Sequence, residues 1–211
     1  MYDGIIFDFD GTLADTSHIY ADVCVRLARR HGFPEPSRQD LERMRELTLA
    51  QKLRFFRVPS YRLPRLVSEA MALYRQLIET AVPYAGIKAL VQHLSEENKA
   101  CYIVSSNSHE TIQHFLSLHE MDQFNRIEGQ ASLFGKHLSL RKLVRQEKLA
   151  NQSLLYLGDE IRDIHACRKT GLPVGAVTWG YESKTILVKA DPDYIFDQPA
   201  DVLDLLRNQD S

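Results

Sequence analysis

Residues 4–13 read GIIFDFDGTL, and this stretch decides the fold. Its apolar residues 5–7 predict a short buried strand, which Gly11 ends because glycine adopts backbone angles that other residues resist. Asp8 and Asp10 then lie at the carboxyl end of the strand, where open α/β sheets bind ligands. One such acid can attack as a nucleophile while its neighbour shuttles a proton. A strand followed by an acidic turn without a catalytic role would have the same sequence, because Asp and Gly are common turn residues.

The composition is that of a globular chain without strong charge. Its 211 residues, 44% hydrophobic and 26% charged, suffice for one sizeable core plus a small second domain. A formal net charge of -2 gives no bulk attraction to nucleic acid or to an anionic membrane. No apolar run is long enough to span a bilayer, and no signal segment precedes the first strand, so we expect a cytoplasmic protein.

The region after residue 84 alternates between strand and helix patterns. Predicted strands share runs of apolar residues and lie at 100–104, near 126–128, at 154–157 and at 174–178. Helical patterns separate them. Alternating βα units predict a parallel sheet that is covered by helices on both faces.

The segment between the first strand and this region has the period of a helix. Residues 15–83 show apolar positions at helical spacing and no convincing strand. The first strand needs the later strands as partners. We therefore predict an α/β fold whose Rossmann-like parallel core comprises residues 1–14 and 84–211, with an all-α cap domain inserted at 15–83.

The predicted strand at 100–104 is followed by Ser105, Ser106 and Asn107, just before a helix. Backbone N–H groups at a helix start bind anions, and a serine hydroxyl adds a further donor. An ordinary polar cap has the same residues, so this signal by itself is weak.

The predicted strand at 154–157 is followed by Asp159 and Asp163. At the start of a helix, a spacing of four places both acids roughly on one side, and oxygen ligands suit Mg²⁺. Acids are also common there because they complement the helix dipole. A parallel sheet brings its strand ends to one edge, so we expect these acids to meet Asp8 and Asp10.

A site of this kind needs a cation for an anionic substrate, and two lysines are candidates. Lys136 lies in a loop before a predicted helix, whereas Lys142 lies more than one turn into it. A lysine is a good point charge for phosphate. We favour Lys136, because loop residues at this edge are better placed than residues within a helix.

Taken in chain order, the motifs are Asp8-x-Asp10-Gly11-Thr12, Ser105, Lys136 and Gly158-Asp159-x3-Asp163. With them the chain resembles the haloacid dehalogenase superfamily, especially phosphoglycolate phosphatase-like members with a helical cap, over essentially its whole length. The resemblance implies a phosphatase that hydrolyses a small-molecule phosphate monoester, phosphoglycolate-like or a sugar phosphate. It also implies that the cap acts as a lid that selects the leaving group.

The same resemblance implies roles for the two acids of the first motif. Asp8 would attack phosphorus and become an aspartyl phosphate, and Asp10 would protonate the leaving alcohol and then activate water. Members that cleave carbon–halogen bonds lack an acid at the place of Asp10. The acid therefore favours phosphoryl transfer.

The resemblance further implies a Mg²⁺ cofactor and a phosphate-binding set. The metal ligands would be Asp8, the main-chain carbonyl of Asp10, Asp159 and, in a supporting position, Asp163. The phosphoryl group would be oriented and neutralised by Thr12, Ser105 and Lys136, with Ser106 and Asn107 shaping the same loop.

Two rival hypotheses remain at this stage. A phosphosugar mutase on the same fold would return the phosphoryl group to a sugar instead of to water. A non-catalytic phosphate-sensing or protein-binding module would have no use for a second acid beside the nucleophile. The physiological substrate and the oligomeric state are not encoded in any motif that we recognise.

Overall fold

The computed structural model describes residues 2–47, 49–129 and 135–209. The chain divides into two compact units, which are described separately below. The first, the α/β unit, comprises Met1–Asp15 and Val82–Ser211, and the second, the helical unit, comprises Thr16–Ala81.

The α/β unit contains all the strands of the described residues. In chain order they are β1 (Gly4–Phe7), β2 (Ala14–Asp15), β3 (Val82–Pro83), β4 (Ala100–Val104), β5 (Arg126–Glu128), β6 (Leu154–Gly158), β7 (Val174–Val177) and β8 (Tyr194–Phe196). Six of them form a parallel sheet in the order β5-β4-β1-β6-β7-β8. Short β2 and β3 pair with each other in antiparallel fashion.

The helices are numbered along the whole chain. The helical unit holds α1 (Ser17–His31), α2 (Arg38–Met44), α3 (Leu49–Phe55) and α4 (Leu63–Leu77). The α/β unit holds α5 (Ile87–Glu96), α6 (His109–Leu118), α7 (Lys136–Glu147), α8 (Ile161–Thr170), α9 (Lys184–Lys189) and α10 (Pro199–Gln209). None of the described helices is long and apolar enough to cross a membrane.

The register of the sheet aligns three strand ends. Phe7, the last residue of β1, lies opposite Ile103 of β4 on one side and opposite Leu157 of β6 on the other. The strand order reverses direction at β1 and β6, and ligands of open α/β sheets bind at such a switch point. The residues that follow β1, β4 and β6 therefore share one edge.

The central strands of this sheet are apolar along their length because both faces are covered. Every residue of β1 is buried, as is every residue of β6, which is the pattern of a central parallel strand. The core on one face packs Ile6 and Tyr156 against Leu140 of α7 and Ile164 of α8.

The helical unit is built mainly on α1 and α4. Gly32 caps the end of helix α1, and its φ of 68° closes the last turn in the left-handed conformation. Ser37 caps the start of helix α2 and forms a capping box with Asp40. The buried positions of α1 and α4 recur at helical spacing and are Ile19, Val23, Ala28, Leu66 and Leu73.

The predicted α/β fold with a parallel core is confirmed, and three details differ. Residues 15–83 are not free of strand, because Asp15 in β2 pairs with Val82 in β3. A ladder of two residues is too short to show a period. Strand β8 and helices α9 and α10 lie in a region for which the sequence predicted no elements.

Candidate active site

Asp8 directly follows β1 and is 2% exposed. Its Oδ1 accepts a hydrogen bond from the Phe9 N–H at 2.7 Å. Its Oδ2 forms an ion pair with Lys136 Nζ at 2.7 Å, and no other described group donates to it. Burial raises the pKa of Asp8 to about 7, although Lys136 opposes the rise. The backbone thus fixes Oδ1 of Asp8, and Oδ2 faces the ammonium group of Lys136.

Lys136 is the first residue of α7 and is 5% exposed. Besides the contact to Asp8, its Nζ donates to Asp163 Oδ1 at 2.6 Å and to the Tyr156 hydroxyl at 2.9 Å. Burial alone would lower the pKa of Lys136, but the carboxylates of Asp163 and Asp8 outweigh it and leave the pKa above its ordinary value. The ammonium group therefore stays charged.

Lys142, the other candidate, lies elsewhere in the α/β unit. Its Nζ donates to Glu128 Oε2 at 2.8 Å, and its side chain is 51% exposed. The geometry thus brings Lys136, and not Lys142, to Asp8.

Asp159 and Asp163 are each held by backbone groups at the start of α8 and in the loop after β7. Asp159 Oδ2 accepts from the Tyr181 N–H at 2.7 Å, and its Oδ1 accepts from the Thr12 hydroxyl at 3.1 Å. Asp163 Oδ2 accepts from the Glu160 N–H at 3.2 Å in a capping box. Burial, followed by the charges of Glu160 and Asp8, raises the pKa of Asp159 well above its usual range.

Carboxylate oxygens of Asp8, Asp159 and Asp163 lie within 4.8 Å of one another, and all three residues are buried. Three buried carboxylates exceed the charge of Lys136, and nearby Arg162 is itself paired with Glu160, so a further cation would stabilise them. An all-oxygen set with few carboxylates suits Mg²⁺, which keeps several of its waters. The residues present therefore fit a divalent metal ion.

Gly11 permits the close approach of the first loop to Asp159. Its φ is 73°, and a Cβ at this position would overlap the Asp159 carboxylate. A side chain would thus be strained by the backbone and would also displace a metal-site acid. Glycine is therefore required at position 11 both by the backbone conformation and by the close contact with Asp159.

Asp10 is anchored by the loop that follows β4. Asn107 Nδ2 donates to Asp10 Oδ2 at 2.5 Å, and the Asn107 N–H donates to Ser105 Oγ at 3.1 Å. Ser105 is fully buried, and Ser106 is half-buried in the same loop. The amide of Asn107 thus connects the first motif with the second.

The structure brings together most of the residues predicted from the sequence. Asp8, Lys136, Asp159 and Asp163 form one buried group, which Thr12 joins through Asp159. Asp10 and Ser105 are joined through Asn107. The roles assigned to these residues stay predictions.

Two contacts were not predicted. Tyr156, read only as a strand residue, donates from its hydroxyl to Asp163 Oδ1 at 3.3 Å and accepts from Lys136. Trp179, which follows β7, donates from Nε1 to the Thr12 carbonyl at 3.1 Å. A tyrosine within an apolar strand and a tryptophan after one both look like ordinary core residues. No sequence signal would have found these bonds.

A family model described as haloacid dehalogenase-like hydrolase matches residues 5–177. The chain belongs to this family. The match spans the first motif, the helical insert and the strand that follows Asp163. It confirms the resemblance found from the motifs and makes the chain an enzyme, a haloacid dehalogenase-like hydrolase.

Individual relatives agree with the family and are similar over nearly their full length. A phosphoglycolate phosphatase from Synechococcus elongatus is 28% identical over 200 residues, covering 94% of each chain. The pyrophosphatase PpaX from Bacillus mycoides is 23% identical, with 96% of this chain and 95% of the relative covered. These proteins are named as hydrolases of phosphorus compounds.

A solved structure supports the fold of this hydrolase. A haloacid dehalogenase-like family hydrolase from Streptococcus pneumoniae superposes with a TM-score of 0.84 at 24% identity, covering 97% of this chain and 98% of that one. The similarity covers both the residues of the parallel core and those of the inserted helices.

Proposed function

We propose that this haloacid dehalogenase-like hydrolase is a Mg²⁺-dependent phosphatase acting on a small-molecule phosphate monoester, phosphoglycolate-like or a sugar phosphate. The observation that supports it best is the setting of Asp8. One oxygen of this buried carboxylate is fixed by the Phe9 N–H, while the other is paired with Lys136 and has no further donor among the described residues. Such an oxygen is free to attack phosphorus.

In the first step Asp8 Oδ2 would bond to phosphorus as the ester P–O bond breaks. Asp10 would give its proton to the leaving alcohol oxygen. The product on the enzyme would be an aspartyl phosphate. Asn107, which holds Asp10 Oδ2, would keep this acid aimed towards the leaving group.

In the second step Asp10, now ionised, would take a proton from water as the water oxygen bonds to phosphorus. The acyl phosphate then breaks, which releases phosphate and restores Asp8. Lys136 would neutralise charge on the phosphoryl oxygens in both steps. Ser105, Ser106 and Thr12 would orient the same group.

The metal would be held by Asp8, the main-chain carbonyl of Asp10, Asp159 and Asp163. When bound, Mg²⁺ would supply positive charge to the phosphoryl oxygens and to the attacking carboxylate. Thr12 and the Tyr181 N–H would keep Asp159 in place through the bonds described above.

Release of inorganic phosphate from a panel of esters tests the proposal. The panel contains phosphoglycolate, several sugar phosphates and p-nitrophenyl phosphate, each with Mg²⁺ and with EDTA. We expect release from at least one alkyl ester that needs Mg²⁺ and is lost in Asp8→Asn. The matched control is Asp3→Asn, since Asp3 is exposed just before β1. Release that persists in Asp8→Asn or in EDTA would contradict the proposal.

Pyrophosphate is a second candidate substrate, because two relatives that match this chain over 95% of their own length are named as pyrophosphatases. The same panel with pyrophosphate added decides between the two. A kcat/KM for pyrophosphate above that of every monoester would favour this candidate. The nucleophile and the metal site would be the same in either case.

Metal binding can be measured without turnover. A ligand that binds only the folded protein at 100 times its Kd adds about 2.7 kcal/mol, or roughly 5–10 °C in melting temperature for a chain of this size. We expect Mg²⁺ to give such a rise in the metal-free protein and in Asp3→Asn. The rise should be much smaller in Asp159→Asn. Equal shifts in all three proteins would place the metal elsewhere.

A further inference from the structure

Tyr156 lies within β6 and is fully buried, with its hydroxyl among the charged groups of the site. The hydroxyl accepts from Lys136 Nζ at 2.9 Å and donates to Asp163 Oδ1 at 3.3 Å. Lysine has no acceptor and an ionised carboxylate has no donor, so these directions are the only ones available. The tyrosine connects the cation to the acid on α8.

The ammonium group of Lys136 has three protons. Two are used by Tyr156 and Asp163, at 2.9 and 2.6 Å. The third is left on a nitrogen that lies 2.7 Å from Asp8 Oδ2, the oxygen that would attack phosphorus. A phosphoryl group bonded to that oxygen would therefore lie beside the third N–H of a cation that two other partners hold.

We infer that Tyr156 is a positioning residue that holds the Lys136 ammonium group for the phosphoryl group, an inference that rests on the proposed function. A lysine stem is flexible, and a buried acceptor at its tip restricts it. Once Asp8 becomes an acyl phosphate, its carboxylate charge is gone, and the phosphoryl oxygens become the anionic partner of Lys136 at this position. Tyr156 and Asp163 are the protein groups that then fix where the ammonium group lies.

Tyr156→Phe removes the hydroxyl and keeps the ring. Tyr102→Phe is the matched control, because Tyr102 is a buried tyrosine of the same hydrophobic core, on β4, and its hydroxyl is not part of this group. We expect Tyr156→Phe to lower kcat/KM by about 10-fold and to raise the inhibition constant of orthophosphate similarly. Tyr102→Phe should stay within about twofold. Equal constants for the two variants would overturn the inference.

A spectrum of the lysine ammonium group tests the same point without turnover. In protein with ¹⁵N-labelled lysine, held ammonium protons give a resonance that exchanges slowly with water, assigned to Lys136 by its loss in Lys136→Arg. We expect this resonance in the wild type and in Tyr102→Phe, and its broadening or loss in Tyr156→Phe.

The two readouts separate the possible failures. A wild type that releases no phosphate refutes the proposed function, while the spectrum still decides whether Tyr156 holds Lys136. The absence of a slowly exchanging resonance in the wild type overturns the inference even if Tyr156→Phe does not fold. So does an unchanged resonance in a folded Tyr156→Phe protein.

Discussion

Each unit of the molecule contains a cluster of ion pairs, and the two clusters have opposite composition. The Asp8 cluster of the α/β unit has three buried carboxylates, Asp8, Asp159 and Asp163, around Lys136. The Glu69 cluster of the helical unit has one carboxylate, Glu69, which pairs with Arg30, His31 and Arg65. Acids outnumber the lysine in the first, and cations outnumber the acid in the second.

The two central acids respond in opposite directions. Burial raises the pKa of Asp8 to about 7, whereas hydrogen bonds from Arg65 and His31 lower the pKa of Glu69 to about 2. The Glu69 cluster is thus a satisfied, solvent-accessible set of pairs that serves the local fold. The Asp8 cluster holds excess negative charge where water is excluded, which is the arrangement typical of an active site.

The largest expected difference between the clusters is in activity. Removing a catalytic nucleophile costs about 10⁴-fold or more in turnover. We therefore expect Asp8→Asn to abolish phosphate release, and Glu69→Gln to stay within about twofold of the wild type. The rates are compared on the best ester of the panel. A large loss in Glu69→Gln would show that the helical cluster does more than support its own unit.

Asp10→Asn sharpens the account of the Asp8 cluster by separating the two chemical steps. We expect release from alkyl esters to fall by about 10²–10⁴-fold, because their leaving oxygen needs a proton. The nitrophenolate of p-nitrophenyl phosphate leaves without one. That substrate should give a burst of about one product per enzyme, followed by slow turnover, because water is no longer activated. Stopped-flow absorbance measures the burst, and equal losses without a burst would refute the role of Asp10.

Lys136→Met and Lys142→Met compare a buried cation with an exposed one. Removing one partner of a buried ion pair costs about 3 kcal/mol or more, whereas an exposed pair contributes at most about 1 kcal/mol. In the presence of EDTA, urea unfolding should therefore show a much larger loss of stability for Lys136→Met. Its phosphate release should also fall by about 10²-fold or more, with Lys142→Met almost unchanged. The reverse order would assign the phosphate contact to Lys142.

The pH dependence of stability should have opposite signs for the two clusters. The raised pKa of Asp8 means that the folded protein binds more protons than the unfolded chain, so stability falls as pH rises from about 4 to about 7. The lowered pKa of Glu69 gives stability that is lost as pH falls from 4.5 to about 2. Thermal melts in EDTA should lose part of the first slope in Asp8→Asn, because Asp159 also has a raised pKa, and part of the second in Glu69→Gln. Unchanged slopes would contradict both assignments.

The main features of the fold were predictable from the sequence because the central strands have a strong pattern. The runs that became β1, β4 and β6 are apolar along their whole length, and each is followed at once by polar residues. The two-residue ladder of β2 and β3 was not predictable from local sequence. Asp15 pairs with Val82, which lies 67 positions further along the chain. Strand β8 is only three residues long, which is likewise too short to show the alternating pattern of a strand.

The site was predictable to the extent that strand ends fix its residues. Asp8, Asp159 and Asp163 are close because β1 and β6 are neighbours in the sheet. The preference for Lys136 followed from its place before a helix, and the structure brings it to Asp8. Tyr156 could not be predicted, because the hydrogen bond that its hydroxyl accepts from Lys136 depends on how α7 packs on β6. Such contacts are set by tertiary packing and leave no local pattern.

Trapping the covalent intermediate tests the central claim most directly. The wild-type enzyme is mixed with its best substrate and Mg²⁺, quenched with borohydride, digested, and analysed by mass spectrometry. Borohydride reduces an acyl phosphate to an alcohol, so the account predicts this reduction at Asp8, and only when both substrate and Mg²⁺ are present. Turnover without any modification of Asp8, or with reduction of a different acid, would contradict it.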